Sequence, residues 1–121
     1  MLYTIDGKKI KEVPHKETLT LFFKKLSQIE IDLIDKKLQE TIDMISEDKK
    51  LLNSSFLPGK DWTGTVFQPI YEKAAGYNEE LAAKIYGLVL MKNIIDNDKE
   101  WVFMKDGEEN RKGSIYFIKE Y

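Results

Sequence analysis

Cysteine is absent from the 121 residues, while histidine and arginine each occur only once. Without thiols there is no disulfide framework, no thiolate nucleophile and no sulfur ligand for zinc. A serine-type triad would have to use His15, which stands beside Lys16 in a turn, and no glycine-flanked nucleophile elbow surrounds any serine. No His-Glu-x-x-His spacing occurs, so only scattered carboxylates remain as metal ligands. The expectation is a protein with no catalytic residues, no metal and no cofactor.

Long hydrophobic runs are missing as well. The most apolar stretch, Glu79 to Asn97, is interrupted by Lys84 and Lys92 and falls short of the roughly 20 apolar residues that span a bilayer. The first residues, Met1-Leu-Tyr-Thr-Ile-Asp-Gly-Lys-Lys, contain no apolar secretion core. The reading is a cytoplasmic protein without membrane contact.

Charge of one sign is lacking too. The net charge is −2, with acids and bases interleaved along the chain and no basic tail. Arg111 is the only arginine, although arginine is the usual reader of guanine edges and the better fork for phosphate. The segment Pro58-Gly-Lys-Asp-Trp-Thr-Gly64 has glycines and a lysine but not the order of a phosphate-binding loop.

What the chain does contain is enough apolar sequence for one core: 42% hydrophobic and 33% charged residues, typical of a globular domain. Residues 2–13 alternate around Asp6-Gly7 as a short hairpin that Pro14 ends. Leu19, Phe22, Phe23 and Leu26 follow helical spacing, although Leu19, Leu21 and Phe23 also alternate like a strand. Ser27 and Glu30 have the spacing of a capping box, and Ile31, Ile34, Leu38, Ile42 and Ile45 then form the apolar stripe of an amphipathic helix over about 28–47.

From Asn53 to Gln68 the chain reads as a loop with several apolar anchors. Pro69 opens a short helix to about Ala75, Gly76 supplies its left-handed end, and Asn78 caps the next helix, about 78–96. That helix is apolar almost all round and therefore belongs at the centre of the fold. Residues 101–119 read as a hairpin with a polar tip.

These elements predict a single α+β domain over 1–121: a central buried helix (78–96), a flanking amphipathic helix (28–47), and an antiparallel sheet built on the 101–119 hairpin and extended by the N-terminal strands.

The candidate binding site is the loop carrying Asp61, Trp62, Thr63, Thr65 and Phe67, where an aromatic anchor stands among polar handles between glycines. With Glu72, it is also where a small-molecule site or an enzyme's active site would form. The order of short helix, longer helix and hairpin over the last 50 or so residues resembles a winged helix. That resemblance implies a nucleic-acid contact through Lys105, Arg111 and Lys112. The presumed recognition helix, however, begins Glu79-Glu80 and continues apolar, and Asp106, Glu108 and Glu109 offset the cations of the tip.

The leading expectation is a non-enzymatic binding or regulatory protein acting through protein–protein contacts, with a second copy of the chain among its partners. Surplus aromatic surface at Trp62, Phe67, Trp101, Phe103, Tyr116 and Tyr121 motivates it.

Overall fold

Ser27 begins the longest helix with both halves of its cap in place. Its hydroxyl accepts from the Glu30 N–H at 3.1 Å, and the Glu30 carboxylate accepts from the Ser27 N–H at 2.9 Å. This reciprocal pairing satisfies two amides that the first helical turn leaves orphaned. The computed structural model describes residues 1–48, 52–53, 64–105 and 114–118. Among them the order is β1 (Leu2–Thr4), β2 (Lys9–Ile10), α1 (Lys16–Phe23), α2 (Gln28–Glu47), β3 (Leu52–Asn53), a π-helical turn at Ile70–Ala74, α3 (Glu79–Asp96), β4 (Trp101–Lys105) and β5 (Ser114–Ile118).

The α+β architecture read from the sequence is the one observed. Helix α3 lies in the core, with Ala82, Ile85, Tyr86, Val89, Leu90, Met91 and Ile94 buried. Ile34, Leu38 and Ile42 of α2 bury the opposing stripe. Asn78 caps α3 through its side-chain oxygen, which accepts from the Leu81 N–H at 3.1 Å. Gly76 takes the left-handed conformation expected of it, at φ 57°. Tyr77 follows it there at φ 67°, held by its N–H to the Tyr71 carbonyl and by edge-to-face contact of the two rings.

Helix α1 settles the ambiguity at Leu19–Phe23 in favour of a helix. Leu19 packs inward, while Leu21 is left in solvent.

The sheet has the order β2-β1-β4-β5-β3. It is mixed rather than antiparallel, because β1 runs parallel to β4 with Leu2 opposite Trp101. No hairpin can join parallel neighbours, and here the connection passes through all three helices. Asn53, read as the first residue of the loop, instead ends an edge strand with Leu52 that pairs with β5. In β4 and β5, Trp101 and Tyr116 face the core and are fully buried.

A polar seam crosses this apolar interior. Asn93 and Asn97, a turn apart on the core side of the end of α3, are only 3% and 5% exposed. Asn93 donates to Asp35 Oδ1 and to the Val89 carbonyl, both at 3.0 Å. Asn97 Nδ2 donates to Gln39 Oε1 at 2.9 Å and to Asp43 Oδ1 at 3.2 Å. Its Oδ1 accepts from the Lys99 N–H at 3.1 Å and from the Trp101 indole at 3.3 Å. Because those last two groups can only donate, the orientation of the Asn97 amide is fixed. The α-amino group of Met1 donates to the carbonyls of Ile94, Asn97 and Lys99 at the same end of α3.

Candidate functional site

A cleft of about 550 Å³ opens between α1, α3 and the sheet. Thr18 and Phe22, four residues apart, bring one face of α1 to it. Leu81, Lys84, Ile85 and Leu88 form a helical stripe along α3 on the other wall. Phe103 and Tyr116, directly opposite each other on β4 and β5 with ring centroids 5.6 Å apart, complete the lining from the sheet.

Gly87 contributes to the room. It lies within α3, where a glycine weakens the helix by about 0.5–1 kcal/mol relative to alanine. A Cβ built there would meet nothing within 4 Å. Around the cleft Leu81, Leu88, Phe22 and Phe103 are only partly buried. At the start of α1, His15 lines the same cleft in a left-handed conformation at φ 58°, a region that histidine enters more readily than most residues.

The loop singled out in the sequence is divided by the structure. Asp61, Trp62 and Thr63 lie outside the described residues. Phe67 is fully buried, edge-to-face on Tyr86 at 5.3 Å, so its ring belongs to the core. Thr65 lies half-exposed on a shallow depression of about 360 Å³, which it shares with Glu30, Leu33, Gln68, Glu72 and Lys73. There Gln68 donates to Glu72. Lys73 meets Glu30 at 2.7 Å and holds the Glu30 carboxyl below its ordinary range, with the Ser27 N–H adding to the effect.

Of the residues implied by the winged-helix order, Lys105 closes β4 opposite Ser114, and Arg111 and Lys112 lie outside the described residues. Helix α3, which would have to enter a groove, is instead the core helix. Of the surplus aromatics that are described, Phe67, Trp101 and Tyr116 are buried and Phe103 is partly so. Trp62 and Tyr121 fall outside the described residues. Among the described residues the large apolar side chains left in solvent are mostly aliphatic, including Leu21, Ile29, Leu33 and Met44.

Sequence reasoning passed over Gly87, though a lone glycine in a helical pattern is a recognised sign of a packing or functional demand. Among the described residues no group of three or more His, Asp or Glu could hold a metal ion. No described helix is long and apolar enough to cross a membrane. The chain matches no protein-family model, no curated protein and no solved structure.

Proposed function

We propose that the chain is a non-enzymatic binding protein of the cytoplasm that works through contact with another protein, the first partner being a second copy of itself. The observation that carries this reading is the second apolar stripe of α2. Opposite the buried face, Ile29, Leu33 and Met44 are 74%, 49% and 59% exposed. The inner face of α2 is already full, and the described residues leave these three outer side chains largely uncovered, which suits contact with a partner.

The stripe is self-complementary. Two α2 helices laid antiparallel about a two-fold axis near Lys36 and Lys37 set Ile29 of one copy opposite Met44 of the other, with Leu33 one turn nearer the axis and level with Glu40. In the same register, Glu40 reaches the lysines of the facing helix. Such an isologous contact needs only one patch on each subunit.

Sedimentation velocity across a concentration series tests the reading. The expected result is a reversible dimer that Leu33→Glu turns into a monomer with an unchanged helical circular-dichroism signal. A wild-type chain that stays monomeric at the highest soluble concentration overturns it.

A further inference from the structure

We infer that the cleft between α1, α3 and the sheet is a binding site for an aliphatic carboxylate: one apolar chain carrying one negative charge. This assignment is independent of self-association through α2, which uses a different surface.

Three observations carry it. The volume of about 550 Å³ lies within the range of sites that enclose small molecules. The walls are almost wholly apolar, and Phe22, Leu81, Leu88 and Phe103 are left only partly covered by the fold itself. An alkyl chain lying along the Leu81–Leu88 stripe would remove that surface from water, which is the main driving force for such ligands.

The third observation is charge. Among the described lining residues the ionisable side chains, apart from the Tyr116 phenol, are His15 and Lys84, and none is a carboxylate. Lys84, like Lys24, Lys36 and Lys37, takes part in none of the described ion pairs, and what sets it apart is its place on the wall of the cleft. Lys84 is exposed at the edge of the cleft, one turn along α3 from Glu80, and with no carboxylate among the described lining it favours an anionic head group over a cationic one. One fixed cation suits a single negative charge, and the hydroxyl of Thr18 and the ring of His15 supply further hydrogen-bonding groups on the α1 side.

Gly87 makes the site testable without emptying the core. Replacing it by a large residue narrows the cleft, while removing a glycine from a helix interior favours folding. Calorimetric titration of the full chain with dodecanoate, dodecanol and dodecylamine, each kept below its micellar concentration, gives the readout. The expected result is saturable one-to-one binding of dodecanoate, with the alcohol about tenfold weaker and the amine weaker still. Lys84→Gln should weaken the acid about tenfold and leave the alcohol unchanged. Gly87→Phe should abolish binding of all three while the melting temperature is maintained.

Failure of all three compounds to bind the wild type overturns the assignment, as does equal binding of acid and amine. Binding that survives Gly87→Phe at a maintained melting temperature places the ligand elsewhere and also overturns it. If Gly87→Phe abolishes self-association while no compound binds, the cleft belongs to a second copy of the chain, and the assignment again fails.

Discussion

The side-chain amide of Gln39 donates both to the backbone carbonyl of Asn93, at 2.8 Å, and to its side-chain oxygen, at 3.1 Å, joining α2 to α3 across 54 positions of sequence. Its own oxygen accepts from Asn97. One residue from the nominally solvated side of α2 thus serves two buried asparagines. Removing a partner from such a seam leaves buried donors and acceptors unsatisfied, which costs more than an average hydrogen bond contributes.

Asn97 is the most heavily used member of the seam. Asn97→Ala would orphan the Trp101 indole N–H and one acceptor position on each of Gln39 and Asp43. The expected loss is about 2–3 kcal/mol in urea unfolding. Asn97→Asp should also destabilise at neutral pH, because it turns a carboxylate oxygen toward two acceptors, and part of that loss should be recovered on acidification.

Two glycine substitutions should act with opposite signs. Gly76 sits at φ 57°, so Gly76→Ala is expected to cost about 1–2 kcal/mol. Gly87 is helical with open space beside it, so Gly87→Ala should stabilise by about 0.5–1 kcal/mol. Thermal melts of the two variants, compared with the parent, check both signs in a single experiment.

Glu30 links acid stability to the start of α2. Its carboxyl is held below the ordinary value of 4.5, first by the Lys73 ammonium and then by the Ser27 N–H. A carboxyl lowered in the folded state stabilises above its unfolded value, and that contribution is lost as pH falls through the folded one. Glu30→Gln should therefore flatten the stability profile below about pH 4.5, by less than about 1 kcal/mol because the pair is solvent-accessible.

At the alkaline end Tyr86 gives a separate signal. Burial pushes its phenol up from 10.0 to about 12. Between those values the unfolded chain ionises this group and the folded chain does not, so the stability it contributes below pH 10 declines as pH rises toward 12. Absorbance titration should show a late phenolate that Tyr86→Phe removes.

The elements that could be read in advance are those written in local chemistry. Ser27 and Glu30, Asn78, Gly76 and the Asp6-Gly7 turn each act within a few residues of themselves, so spacing alone places them. The seam was not visible because Asp35, Gln39 and Asp43 look like a wet helix face until α3 is laid against them. Asn93, enclosed by Leu90, Met91, Ile94 and Ile95 in the sequence, was the available hint.

The site was less legible than the fold. Trp62 stands out in the sequence as an aromatic among glycines, whereas the cleft takes in Gly87, a residue notable for what it omits. Its walls come from α1, α3 and two strands, and no single window of sequence contains them.

The parallel pairing of Leu2 with Trp101 carries a consequence for biosynthesis. A ribosome adding 5–20 residues per second reaches the second partner about 5–20 s after the first. During that interval β1 can pair with β2 but not with β4, and the nascent chain waits with one border of its sheet open to whatever chaperone or neighbouring strand finds it first.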